Sequence, residues 1–314
     1  MCPASCQLMS GTLGVMPIEI ASGSFGKRII VRDPLSDDDL ELIRRSGISK
    51  VCVMGFGQRA LPDLGALAGV VDELDVLALN IKSDAAVTSL PDLRFLSLET
   101  YARDRIDFRA FRNLELLHLN WRRGAETALE NGKLRNLSIS KYPFPNLGPL
   151  AKLERLEGLR IANSRAMTSL AGLDNLPNLK RLWLIDNRAL TNINDLATDR
   201  PSLVDLSMNT CRGVGNLGPL RAQVDLQSLA LINGGRVTSL RPLADLGRLQ
   251  TLWFYESTVV EDGDLSVLLE MPALQRTSFA NRRHYSHNRE FIERELERRG
   301  LGPATVAEVP HWWW

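Results

Sequence analysis

The constraint that dominates this chain is a six-residue frame, apolar-x-x-apolar-x-apolar, which returns along most of its length. Starting points are Ile48, Leu74, Leu93, Leu114, Leu134, Leu156, Leu179, Leu203, Leu226, Leu249 and Leu274, with a mean interval of 22.6 residues. The echoes are phased: Thr-Ser-Leu recurs at 88–90, 168–170 and 238–240, and Asn-Leu-Gly-Pro-Leu at 146–150 and 216–220. A short unit repeated at a fixed period cannot bury its own apolar face, so neighbouring copies must stack into a solenoid.

Within the frame, the last two apolar residues alternate with polar or variable ones, as in a strand with one buried face. Leu182 and Leu184 are therefore expected to point inward, and Arg181, Trp183 and Ile185 outward. In the second copy the frame Leu74-x-x-Leu77-x-Leu79 turns Ala78 and Asn80 outward. A second apolar pair follows later in each unit, such as Leu217 and Leu220 or Leu240 and Leu243, and closes the core from the opposite side. Pro149, Pro219 and Pro242 inside those pairs disfavour a long helix, so short 3-10 turns are expected there. The reading is an α/β solenoid of about eleven units, with a parallel sheet on the concave face and 3-10 turns on the convex side.

The units resemble the internalin-type and phosphatase-regulator-type leucine-rich repeats of about 22 residues. The likeness runs from Ile48 to Asn281. It implies a curved solenoid that serves as a non-catalytic scaffold binding a protein partner. It also implies an Asn three residues after the last strand leucine, bonding the backbone of adjacent coils. Only Asn187 stands there, with Cys211 as a substitute. Tyr101, Arg122, Tyr142, Ser164, Gly234 and Ser257 occupy the equivalent place elsewhere, and Asn163, Asn233 and Asn281 lie one residue early. The expected ladder is irregular.

A solenoid must cap its open ends. Residues 1–47 are read as an N-terminal segment and cap, with a strand at 27–32 and a helix N-capped by Ser36 and ended by Gly47. The repeats fill 48–281. Residues 282–314 form a C-terminal cap and tail, with a helix from His287 to Arg299 that buries Phe291, Ile292 and Leu296. Trp312, Trp313 and Trp314 either pack on the last coil or serve as a docking tag.

Basic and acidic residues balance, 38 against 37, which argues against a general attraction to nucleic acid or anionic membrane. The four cysteines, Cys2, Cys6, Cys52 and Cys211, form neither a disulfide framework nor a zinc spacing. With no secretory leader and no apolar run long enough to span a bilayer, a reducing, cytoplasmic setting is expected.

Candidate chemistry is sparse. Gly55-Phe56-Gly57 with Ala60 fits a dinucleotide-binding turn, with Asp75 as the ribose acid, but Pro62 interrupts the helix that must follow. A nucleotide-binding or enzymatic site near Gly55–Ala60 is thus the alternative function, and a purely structural, self-associating module is another. His284 and His287 lack partner ligands for a metal. No cofactor, metal or catalytic set is expected.

The outward strand positions carry the functional expectation. Trp183, Ile185, Ile232, Trp253 and Tyr255 would form an apolar and aromatic strip on the concave face, with Asn209 among them and Arg160, Arg181, Asp186 and Glu256 around it. Aromatics with a charged rim are what interface hot spots use.

Overall fold

A computed structural model describes residues 18–23, 26–32, 37–54, 60–198 and 200–301. The chain divides into two compact units between Leu134 and Arg135, inside the repeat segment.

The first unit opens with a hairpin, β1 (Ile18–Gly23) antiparallel to β2 (Gly26–Val31), followed by α1 (Asp37–Ser46). The strand expected at 27–32 is found one residue earlier, the helix ended by Gly47, at φ 68°, is present, and Ser36 lies outside the described residues. β1 has no counterpart in the expectations from sequence. Next come β3 (Lys50–Met54), β4 (Glu73–Ala78), β5 (Phe95–Thr100) and β6 (Leu116–Asn120), each parallel to the last, with β3 parallel to β2.

The second unit continues the pattern with β7 (Asn136–Ser140), β8 (Gly158–Ala162), β9 (Arg181–Ile185), β10 (Asp205–Asn209) and β11 (Ser228–Ile232). β12 (Arg236–Val237), β13 (Thr251–Phe254), β14 (Val259–Val260), α2 (Val267–Glu270), β15 (Arg276–Phe279) and α3 (Arg289–Arg298) complete it. β7 to β11, β13 and β15 form consecutive parallel pairs, and β12 pairs with β14 in a separate small ladder. The prolines sit in single 3-10 turns, Gly148–Leu150, Gly218–Ala222 and Arg241–Leu243, as their missing N–H requires.

Leucines fill the interior: Leu159, Leu182, Leu206, Leu229 and Leu252 are all 0% exposed. Each such burial contributes about 1.5–3 kcal/mol relative to exposure. The second frame needs a correction. Leu74 and Val76 are buried and Leu79 is 46% exposed, so the frame is Val71-x-x-Leu74-x-Val76. Val51 pairs with Leu74, and Leu74 with Leu96. Asp75 and Leu77, rather than Ala78 and Asn80, are the outward pair of β4, and Ala78 is buried. The physical reason is that the run from Val71 to Leu79 satisfies the frame in two registers three residues apart. The corrected start also evens the spacing to its neighbours.

The residue after each of β7 to β11, and the second residue after β13, turns left-handed: Lys141, Asn163, Asp186, Thr210, Asn233 and Glu256 have φ between 51° and 62°. Asn and Asp tolerate this region best among residues with a Cβ. That explains Asn163 and Asn233 one place before the ladder position. The ladder itself is carried by unlike side chains. Asn187 accepts from the Ser164 N–H at 3.0 Å and donates to the Ile161 carbonyl at 2.9 Å. The Thr258 hydroxyl, rather than Ser257, donates to the Leu231 carbonyl at 2.6 Å and accepts from the Gly234 N–H at 2.9 Å. Cys211 Sγ reaches the Leu184 carbonyl at 3.6 Å.

At the C-terminal end α3 starts two residues later than the sequence suggests. Asn288 caps it by accepting from the Phe291 N–H at 2.8 Å. Ile292 and Leu296 are buried, but Phe291 is 38% exposed and stacks on His287 instead. Trp312, Trp313 and Trp314 lie outside the described residues.

Candidate partner-binding face

Strand register in the second unit sets the outward side chains in rows. One row runs Arg160, Trp183, Ser207, Ala230, Trp253, Ser278 across β8, β9, β10, β11, β13 and β15. The next runs Ile185, Asn209, Ile232. Tyr255 follows β13 and is half-buried. The two tryptophans are thus in one row, about 14 Å apart at a strand spacing of ~4.8 Å, with only Ser207 and Ala230 between them.

Trp183 and Trp253 are held differently. Trp183 is only 9% exposed, and its Nε1–H donates to Asp205 Oδ2 at 2.6 Å. Asp205 sits on β10 opposite Arg181, two positions before Ser207, the residue paired with Trp183. Burial raises the Asp205 pKa, while the bonds from Trp183 and Ser228 and the charge of Arg181 pull the other way. The indole is therefore folded down along the sheet. Trp253 is 36% exposed and stands up from it.

The remaining expected residues fall into place around them. Arg160 Nη1 donates to the Ser138 hydroxyl at 3.2 Å. Arg181, Ile185, Asn209 and Ile232 are half-buried on the same face. Asp186 accepts from Arg188 Nε at 2.6 Å, and Glu256, exposed, turns the chain after Tyr255. Sequence reasoning missed Asp205 and Arg289, which lines the same hollow as Trp253 and Tyr255. Asp205 is a diagonal cross-strand neighbour of Trp183 and could have been found from the repeat register alone. Arg289 comes from α3, outside the repeats, and no phase in the sequence points to it.

Gly55 to Arg59 lie outside the described residues, and Ala60 makes an isolated bridge with Ser83. The α-helix that a dinucleotide turn must lead into is absent from 60–72, where Gly65–Leu67 forms one 3-10 turn. Asp75 is committed to the sheet face, with Cys52 Sγ 3.7 Å from its Oδ2; burial raises its pKa and pushes the Cys52 thiol up to about 12. Among the described residues no group of three His, Cys, Asp or Glu could hold a metal, and no helix is long and apolar enough to cross a membrane.

No family model matches the chain. Solved structures do. An internalin from Listeria monocytogenes superposes with a TM-score of 0.60 at 16% identity, covering 90% of this chain and 87% of that one. An internalin C2 from the same organism matches at 24% identity and a TM-score of 0.42, covering 55% of this chain and 74% of its own. A leucine-rich-repeat protein of Leptospira interrogans matches at 14% identity and a TM-score of 0.43, covering 86% and 88%. The first of these, with the stacked strands and 3-10 turns, makes the fold that of a leucine-rich-repeat solenoid.

Proposed function

We propose that this leucine-rich-repeat chain is a non-catalytic scaffold that binds a protein partner on the outward sheet face of its second unit. The observation that carries the reading is Trp253, 36% exposed beside half-buried Tyr255, on a face whose neighbouring positions Ala230 and Ser278 are small. A standing aromatic next to a low floor gives a partner both a knob and a recess, and interface hot spots favour Trp, Tyr and Arg. Arg160, Arg181, Ile185, Asn209, Ile232, Asp186 and Glu256 surround it as the adaptable border. Trp183 contributes by bracing Asp205 and the sheet surface more than by its own contact area. The free thiols of Cys52 and Cys211 suit a reducing, cytoplasmic setting.

The test is a pull-down from host lysate with Trp253→Ala and Tyr255→Ala combined. Both side chains reach outward, so the fold should survive, which circular dichroism checks. Loss of a specific partner supports the reading. Unchanged recovery with an intact fold removes the site.

A further inference from the structure

Between the last strand and the C-terminal helix lies a pocket of about 340 Å³, lined by Trp253, Tyr255, Ser278, Phe279, Ala280 and Arg289. Its walls come from three sources: Trp253 of β13 with Tyr255 after it, Ser278 and the inward Phe279 of β15 with Ala280 after them, and the first residue of α3. Phe279 is held rigid by stacking on Phe254 at 4.9 Å. The volume is at the bottom of the range for ligand pockets, suited to one bulky side chain rather than a cofactor.

Arg289 gives the pocket its chemistry. Its Nε is buried without a hydrogen-bond partner among the described residues. Glu290 and Glu293 approach the guanidinium only to 3.7 and 3.6 Å, beyond hydrogen-bond length. The Glu290 carboxylate is engaged by Asn281 Nδ2 at 2.9 Å. The Arg289 side chain is 42% exposed, so a carboxylate entering from outside can offer its Nη1 and Nη2 edge the short, two-bond geometry that no acid among the described residues gives it. The wider face has the matching sign. Its charged outward strand positions in the second unit are Arg160, Arg181 and Arg276 against Asp205, which is half-buried and bonded to Trp183, while the acids Asp186 and Glu256 lie just past the strand ends at the border.

We propose that this pocket is the anchor site for an acidic peptide segment: one bulky apolar side chain of the partner enters between Trp253 and Ala280, and a flanking carboxylate meets Arg289. The proposal rests on the scaffold reading above and names its partner chemistry. Arg276, two residues before Ser278 on β15, and Arg181, across the sheet on β9, select additional acids along the peptide. The apolar walls and single lining cation favour a peptide over a nucleic acid, whose repeated phosphates call for a row of cations.

The experiment selects binders from a random peptide library displayed on phage against the immobilised full chain, then measures synthetic winners by fluorescence anisotropy. The expected winners carry Asp or Glu within about two residues of a Trp, Phe, Leu or Ile. Replacing those acids by amides weakens binding by about tenfold or more, as do Arg289→Glu and Trp253→Ala. Raising salt from about 0.05 to 0.5 M weakens it in the unaltered protein, a readout that does not depend on any variant folding. Neutral or basic winners, or no winners, overturn the proposal. So does displacement of the winners by an oligonucleotide, or equal binding in trans by a peptide of residues 302–314. If winners need Trp253 but ignore Arg289 and salt, the acidic occupant falls while the scaffold reading stands; the pull-down decides that reading separately.

Discussion

Arg122 lays its guanidinium on the carboxylate of Asp84, 38 residues earlier, in a two-bond fork of 2.6 and 2.7 Å. Side-chain exposure is 7% for the arginine and 0% for the aspartate. The Thr100 hydroxyl donates to Asp84 at 2.6 Å, and Arg122 also donates to the Asp104 carbonyl at 3.1 Å. This polar knot ties three coils of the first unit together.

Breaking one side of the knot should be far worse than replacing both. Asp84→Ala leaves a guanidinium buried without its counter-ion and should cost about 3–5 kcal/mol. Asp84→Leu combined with Arg122→Met should recover most of that, because a buried ion pair repays its desolvation poorly. Chemical denaturation of the single and double variants measures the coupling. Additive losses would show that the pair is not a unit.

Asp205 makes stability depend on pH at the proposed binding face. Its folded pKa is raised above the ordinary aspartate value of 3.8, chiefly by burial. Between those two values the folded chain holds a proton that the unfolded chain has released. Stability therefore falls as pH rises through that window. Asp205→Asn keeps an acceptor for the Trp183 indole and removes the titration. Its melting temperature should vary less steeply with pH above 3.8 than that of the parent chain, and at neutral pH it should be equal or higher. Identical melting-temperature profiles for the two proteins would assign the dependence to other groups.

Two left-handed glycines should respond differently to alanine. Gly124 has φ 86°, and a Cβ there would stand 2.1 Å from the Ile106 carbonyl oxygen of the neighbouring coil. Gly69 has φ 75° with nothing within 4 Å of the same position. Gly69→Ala should cost about 1–2 kcal/mol, from backbone strain alone. Gly124→Ala adds a backbone clash, the kind of disruption behind losses above about 4 kcal/mol. Melting temperatures of the two variants should rank accordingly, and equal shifts would mean that the coils can part at Gly124 without penalty.

The stacked coils were legible because two rules act together. Alternation within a strand decides which leucines face inward, and the spacing of about 22 residues keeps the coils in phase. The proline-marked turns were legible for the same reason, since a missing N–H restricts what can form there. What escaped were contacts set by side-chain direction or by elements outside the repeats. An indole at an outward position can stand up, as at Trp253, or fold down onto a neighbour's carboxylate, as at Trp183. The repeat frame treats both alike. The knot of Asp84 and Arg122 was hidden because its partners are unlike residues in non-adjacent coils. Arg289 reaches the face from a cap whose sequence says only that a helix is present.

The register of β4 gives the sharpest check on how the coils stack. Leu74 is 0% exposed and pairs with Val51 on one side and Leu96 on the other, whereas Leu79 lies just past the strand and is 46% exposed. A charge placed at Leu74 enters the apolar column with no partner and should cost several kcal/mol, roughly the loss expected of an unpaired buried ion. Leu79→Asp meets water and should change stability by no more than about 0.5 kcal/mol. Denaturation midpoints of Leu74→Asp and Leu79→Asp, measured side by side, separate the two registers. If Leu79→Asp proved the damaging change, the frame beginning at Leu74 would be restored, and Ala78 and Asn80 would return to the outward face in place of Asp75 and Leu77.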